Sequence, residues 1–382
     1  MKVCVVGEGG REQTLRYVLA RTAEVVGDVA AADLVVIGPE APLSQGLADE
    51  LRIQGKAVFG PGRDGARLEW SKAWMKEVLA AAGIPTARHR SFEPDEADDA
   101  IAFLQDLPGG YVVKTDYLAA GKGVTVTSDI DTAMADVRTK LAHGSVVIEE
   151  QMTGPELSLL CVCDGKRVVP LATARDYKRV GTRDVGPMTG GMGAYSPVAD
   201  VDGESIAKTI VQPTLDALRE RGVDYRGCLY AGLMLTPDGP KVVEYNVRFG
   251  DPEAQVVLPR FAGDLAAFLY EAATGDLRSE PSFVDDAYVC LVLAAEGYPG
   301  EVRTGDPIEG IEDAEALEGV RVLRLAVESD DGGVIRTNGG RVLNVVASGP
   351  TVADARALAY DAAARISWRG LHYRADVAEE RS

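Results

Sequence analysis

The chain of 382 residues has few aromatics (6%), only three histidines and a deficit of positive charge: Lys+Arg 40 against Asp+Glu 59 leaves −19. It has no uncharged apolar run of about 18 residues or more, the length a helix needs to span a bilayer, and no repeat or low-complexity tract. Met1, Lys2 and Val3 pass straight into a strand pattern, without the apolar segment and small-residue cleavage site of a secretory leader. A nucleic-acid surface gains most of its affinity from Lys and Arg neutralising phosphates, so this charge excludes DNA, RNA and anionic membrane as partners. A small phosphate ligand held by a few local donors stays open. The cysteines Cys4, Cys161, Cys163, Cys228 and Cys290 are odd in number and sit in apolar runs. They predict reduced core residues of a cytoplasmic protein, not a disulfide framework. Three histidines leave no convincing Ser/His/Asp or Cys/His nucleophile arrangement.

What is present predicts an α/β (α+β) chain of several units. Short apolar runs at 3–6, 34–37 and 57–59 alternate with helical patterns, as in a parallel β-α-β layer whose ligand loops follow the strand carboxyl ends. A helix over 71–82 stops at Gly83-Ile84-Pro85. Strands at 111–114, 124–127 and 146–149 with helices at 94–104 and 132–142 predict a small α+β unit. Strands at 156–163, 167–173, 227–235 and 241–246 predict a mostly antiparallel sheet, joined by a Gly-rich stretch and a helix over 204–221. Strands at 286–295, 320–327 and 341–348 with a helix over 352–366 predict a terminal module. The expected domains are an N-terminal layer (1–70), linker helices (71–112), a lid (113–175), a central catalytic domain (176–285) and a C-terminal domain (286–382).

Four segments carry chemistry. In 111–124 a buried strand delivers Lys114, and a turn places Lys122 between Gly121 and Gly123, where a backbone without Cβ can approach a phosphate oxygen. The spacing is not that of a Walker loop; a glycine hairpin with solvated lysines is the plainer alternative. In 146–156 an apolar strand ends in Glu149 and Glu150, followed by Met152 and, after Gly154-Pro155, Glu156; such a hinge suits an adenine edge and a ribose hydroxyl. In 242–253, strand alternation puts Glu244, Asn246 and Arg248 on one face. Two hard oxygen ligands and a fixed cation there suit Mg²⁺ on nucleotide phosphates, against the alternative of a structural Glu244–Arg248 bridge. The stretch 176–197, with Asp176, Lys178, Thr189, Gly190 and Gly191, lacks helix or strand periodicity and predicts a mobile loop, outside any core, that closes over substrate.

In this order and spacing the segments resemble the ATP-grasp superfamily, and within it the glycinamide ribonucleotide synthetase (phosphoribosylamine–glycine ligase) family. The strings that carry the resemblance are GEGGRE (7–12), VIGPEAPL (36–43), SKAW (71–74), LAAGKGV (118–124), DYKRVG (176–181), TGGMGAYSP (189–197), CLYAGLM (228–234), NVRFGDPE (246–253), GYPG (297–300) and TNGGRVL (337–343). The resemblance implies ATP-dependent activation of a carboxylate as an acyl phosphate and its capture by an amine. It implies Lys72, Lys114, Lys122, Gly121 and Gly123 at the ATP phosphates, and Glu149, Glu150, Met152, Glu156 and Asp176 at the nucleotide. Glu244 and Asn246 become Mg²⁺ ligands (Mn²⁺ as substitute), and Arg248, Asp251 and Lys178 catalytic groups. Gly9, Gly10, Arg11, Glu12, Pro39, Glu40, Thr189, Gly190, Gly191 and Arg248 become substrate contacts. The implied partners are a small carboxylate and a small amine, with the chain a monomer or weak homodimer.

The sequence departs from the family pattern at Glu8 (for Asn), Gln13 (for His), Thr115 (for Ala), Tyr117 (for Gly), Arg175 (for Gln), Tyr177 (for His) and Met188 (for Asn). After the first helix, 25–33 runs almost directly into the next strand, so one β-α unit is deleted or vestigial. Glu8 adds negative charge where a sugar phosphate would approach a helix N-terminus, which disfavours an anion. These departures point to a diverged paralogue with an altered acceptor or carboxylate; the alternative is the purine-biosynthetic ligase itself with a minimal N-terminal domain. A silent regulator that keeps the fold predicts eroded phosphate and metal positions, which this sequence does not show.

Overall fold

The computed structural model describes residues 1–117 and 123–379. Its first sheet is parallel, in the order Glu24–Val26, Lys2–Val6, Leu34–Ile37, Ala57–Phe59. Leu34–Ile37 is buried throughout, as expected of a parallel strand covered on both faces. Alternation sends Val3, Val5, Leu34 and Val36 into one apolar cluster and Cys4, Val35 and Ile37 into another. The three-residue strand Glu24–Val26 is what remains of the unit that the sequence reads as deleted or vestigial.

Residues 89–150 form a second, antiparallel sheet in the order His89–Phe92, Val146–Glu150, Tyr111–Thr115, Val124–Thr127. The helices Ala97–Gln105 and Ile130–Leu141 supply its own core, with Phe92, Leu104, Val113, Val137 and Ile148. The expected division at 112/113 falls inside the hydrogen-bonded strand Tyr111–Thr115, and this sheet, expected as a lid, starts at His89–Phe92.

The central sheet runs Val168–Pro170, Glu156–Asp164, Arg226–Thr236, Gly239–Asn246, all antiparallel. The strand Glu156–Asp164 is buried on both faces, with Leu157, Leu159, Cys161 and Cys163 in one cluster and Leu160 and Val162 in the other. All five cysteines are free and buried. The helix expected over 204–221 contains a π-turn, Ala207–Val211, immediately before Gln212–Glu220. Pro213 explains it: without an N–H it cannot continue the i→i−4 ladder, and the preceding turn widens.

The last sheet, Arg175–Asp176, Gly193–Ser196, Ala287–Ala294, Arg341–Gly349, Val320–Arg324, recruits two strands from the Gly-rich stretch. That stretch was expected to lie outside any core, yet Met192, Ala194 and Ser196 are fully buried. Small residues let this segment pass between the central and C-terminal sheets, so its aperiodic sequence reflects close packing. Between these strands, Arg179–Gly181 and Val185–Met188 form a hairpin. Its tip is tied down: Arg183 N donates to Asp376, Arg374 pairs with Asp184 at 2.8 Å, and the Arg374 guanidinium donates to Arg179 O. The stretch expected to be a mobile loop thus contains a hairpin whose tip is anchored to the chain's last residues. Among the described residues no helix is long and apolar enough to cross a membrane.

Candidate active site

A cavity of about 590 Å³ opens where the lid, central, N-terminal and C-terminal sheets meet. On the lid side, antiparallel register pairs Lys114 with Val147 and Val112 with Glu149, which makes Lys114 and Glu149 diagonal neighbours on one face. Lys114 Nζ is 2.8 Å from Glu149 Oε1 and donates to Val243 O. Lys72 opens the helix Lys72–Ala81; Ser71 Oγ caps it at Trp74 N, and Asp116 Oδ1 accepts from Ala73 N at 2.9 Å. The carboxyl end of the strand Tyr111–Thr115 is thus locked, through Asp116, to the helix carrying Lys72. Gly121 and Lys122 lie outside the described residues.

Across the cavity, Lys178 Nζ is 2.8 Å from Asp176 Oδ2 and 3.8 Å from Glu244 Oε1. Burial would lower the Lys178 ammonium, but Asp176, Tyr230, Glu244 and Glu156 hold it well above its ordinary value. Burial pushes the Glu156 carboxyl up to about 7, against Lys178 and with the charges of Asp176 and Glu244. For Glu244 the opposite sign results: burial raises it, yet Lys178, Lys114 and Lys72 bring it below the usual carboxylate range. Glu244 stays ionised in a ring of lysines, and with Asn246 it offers two oxygens from one strand. Among the described residues no three His, Cys, Asp or Glu side chains converge to hold a metal. Two protein oxygens fit Mg²⁺ all the same, because Mg²⁺ retains waters and takes further ligands from phosphates.

The far end is built from arginines. Arg248 Nη2 donates to Glu69 Oε1 at 2.8 Å and to Asn246 Oδ1 at 3.2 Å, and Arg248 Nε reaches Glu40 Oε2 at 3.4 Å. The alternative Glu244–Arg248 bridge does not form; Glu69 has displaced it. Burial raises the Glu69 carboxyl despite Arg248, whereas Glu40, where burial also acts upward, is held low by Arg248 and Arg11. Arg11 donates to Glu12 and to Phe249 O. Arg341 donates to Gly190 O and Asp251 O at 2.9 and 2.8 Å, clamping the Gly-rich segment to the 248–251 turn. Burial would raise the Asp251 carboxyl, but Arg341 and Arg11 hold it low.

The predicted residues Arg11, Glu40, Lys72, Lys114, Gly123, Glu149, Glu150, Met152, Glu156, Asp176, Lys178, Thr189, Gly190, Glu244, Asn246, Arg248 and Asp251 all line this cavity. Gly9, Gly10, Glu12, Pro39 and Gly191 do not. Glu12 is 2% exposed and lies under the loops, where a Cβ on Gly38 would come within 2.0 Å of its Oε1 and one on Gly9 within 2.7 Å of Oε2. The glycines make room for this carboxylate, so Glu12 braces the loops and does not reach the cavity. Gly10 packs against Gln255 and Asn344. Gly191 has φ of +112° and faces Pro252. Sequence reasoning missed Glu69, Glu253 and Arg341 as cavity residues. Glu253 and Arg341 lie within quoted strings (NVRFGDPE, TNGGRVL), which was the available signal; Glu69 lies outside every such string.

The departures from the family pattern also find their places. Glu8 is exposed and bound through both oxygens to Arg16, so the negative charge expected at the helix N-terminus is already compensated. Gln13 bonds the backbone of Arg324, donating to its carbonyl at 2.6 Å and accepting from its N–H at 3.2 Å. Tyr177 is buried in the C-terminal core, its hydroxyl accepting from Ala378 N. Only Arg175 and Met188 among the seven substituted positions reach the cavity.

Comparison with known proteins matches three family descriptions in sequence: Phosphoribosylglycinamide synthetase N domain over 26–69, its ATP-grasp (A) domain over 70–254 and its C domain over 288–380. A phosphoribosylamine–glycine ligase of Brucella melitensis is 41% identical over 418 residues, covering 99% of this chain and 97% of the relative. One of Streptomyces coelicolor is 44% identical over 416 residues, covering 99% of both. The crystal structure of a phosphoribosylamine–glycine ligase from Thermotoga maritima superposes with a TM-score of 0.84 at 31% identity, over 99% of this chain and all of that one. These alignments are longer than the chain, and the N-domain match begins only at residue 26, in keeping with a shortened first layer.

Proposed function

As a member of the phosphoribosylglycinamide synthetase family, the chain is an ATP-grasp ligase that forms C–N bonds with release of ADP, and we propose that it joins glycine to phosphoribosylamine. Full-length similarity at 41 to 44% to ligases named for that reaction carries the reading. The altered-acceptor reading loses its footing with it, and of the seven substituted positions only Arg175 and Met188 line the cavity.

The reaction has two steps. A glycine carboxylate oxygen attacks the γ-phosphorus of ATP, the bond to ADP breaks, and an acyl phosphate forms. The amine nitrogen then attacks the acyl carbon, the carbon–oxygen bond breaks, phosphate leaves with the electron pair, and the nitrogen gives up a proton. In this reading Lys72, Lys114 and Lys178 hold phosphate oxygens, and Glu150, Met152 and Glu156 line the nucleoside. Glu244 and Asn246 would hold Mg²⁺, which screens phosphate charge and polarises the transferred group. Arg248, fixed by Glu69 and Glu40, presents its guanidinium to the carboxylate and phosphoryl charge. Lys178 carries its proton firmly and serves as a cation, not a base. Arg341 joins the 189–191 segment to the 248–251 turn, keeping water from the acyl phosphate. Reaction in the cytoplasm agrees with five buried, free thiols.

Purified protein given MgATP, glycine and freshly made phosphoribosylamine is expected to yield glycinamide ribonucleotide, ADP and phosphate in equal amounts. Absence of that product, with phosphate released only when another amine is supplied, would overturn the substrate assignment.

A further inference from the structure

Lys76 is a charged side chain for which the proposed reaction has no use. It lies one turn beyond Lys72 on the helix Lys72–Ala81, is 1% exposed, and does not line the cavity. Its Nζ is 3.0 Å from Glu149 Oε2 and donates to Thr86 Oγ1 at 2.6 Å. The Thr86 hydroxyl donates in turn to Val242 O at 2.6 Å, and Val242 N donates to Pro85 O. The other Glu149 oxygen meets Lys114, which donates to Val243 O.

Residues 86–88 carry the chain into the lid sheet at His89–Phe92. Both branches from Lys76 therefore end on the same central strand, Gly239–Asn246, one through Thr86 and one through the strands Val146–Glu150 and Tyr111–Thr115. Burying an ammonium costs hydration that only close, well-placed partners offset. Burial pushes Lys76 down to about 8 while the Glu149 charge opposes it. An apolar side chain of similar length would fill this space at less cost.

We infer that Lys76 is a positioning residue that, through Glu149 and Thr86, pins the lid sheet to the central sheet, holding Lys114 at the nucleotide phosphates and the lid closed against water. The inference rests on the proposed nucleotide cleft but not on the identity of the amine.

The test compares wild type with Lys76→Met by calorimetric titration with MgADP, and by phosphate release from MgATP and glycine without amine. In the second assay water attacks the acyl carbon, the carbon–oxygen bond breaks, and glycine and phosphate are recovered. Lys76→Met is expected to bind MgADP about tenfold more weakly, as when a supporting partner of a ligand-holding group is removed, and to show more glycine-dependent phosphate release per molecule bound. A merely structural lysine would lower the melting temperature and leave both readouts unmoved. A folded Lys76→Met with a Kd within twofold of wild type overturns the inference. Should Lys76→Met fail to fold, Thr86→Val decides alone: weaker MgADP binding supports the pin and unchanged binding removes it. Wild type that fails to bind MgADP would instead overturn the proposed function.

Discussion

At the proposed nucleotide end of the cavity the cations are lysines, each with a carboxylate close by: Lys178 meets Asp176 two residues away, and Lys114 meets Glu149 across one strand pair. At the other end the cations are arginines that, besides the nearby Glu12 and Asn246, take partners from distant segments. Arg248 is held by Glu69 and Glu40, 179 and 208 residues away, and Arg11 donates to a carbonyl 238 residues away. A lysine is a point charge on a flexible stem, which suits phosphates that shift during transfer. A guanidinium is planar and directional, and its use depends on what fixes the plane. The nucleotide end should therefore tolerate small displacements, whereas the arginine end should fail when a support is moved, even with the guanidinium intact.

The largest effect is expected where the two ends meet. Glu244→Ala with Asn246→Ala should lower product formation about 10³-fold or more, since both metal-holding oxygens go; turnover that survives would remove the metal assignment. Glu69→Gln comes next. It leaves Arg248 in place but frees its plane, and kcat should fall on the order of 10², the scale of a misplacement near 1 Å. MgADP affinity should stay within twofold. An equal loss of both would show that the two ends are not separable.

A smaller effect follows from pH. The Glu149 carboxyl, raised by burial but brought below its ordinary 4.5 by Lys114 and Lys76, is ionised more readily folded than unfolded. Its stabilising contribution is then complete above about pH 4.5 and is lost as pH falls through the depressed value. Urea midpoints of wild type and Glu149→Gln should converge between pH 6 and 3; a gap that stays constant would contradict the assignment. The smallest effect is expected at Gln13. Gln13→Ala deletes two bonds to Arg324, costing about 1–2 kcal/mol of stability, while turnover stays within twofold. A large change in the KM for the amine would return Gln13 to the acceptor site.

Much of the fold was legible because its signals are local. The apolar runs at 3–6, 34–37, 146–149 and 241–246 became strands, and the pattern over 71–82 became the helix Lys72–Ala81. The Gly-rich stretch misled because strand periodicity is absent where small residues are packed on both sides, as at Gly193–Ser196. The site was legible wherever a string such as NVRFGDPE places several groups on one element. It was illegible for Glu69, which resembles any surface acid at a helix end until Arg248 is brought to it.

The same division holds for the departures. Glu8 and Gln13 are visible in the sequence as differences, but their meaning depends on Arg16 and on Arg324, a residue 311 positions from Gln13. By itself the sequence pointed to the family and to its ATP-dependent ligase chemistry, because ten short strings in fixed order and spacing carry the resemblance. Tertiary structure alone decided how the arginines are aimed, what Glu12 and Lys76 are for, and which substitutions touch the cavity. The physical reason is that orientation and burial arise from groups converging across the chain, and neither is a property of any one segment.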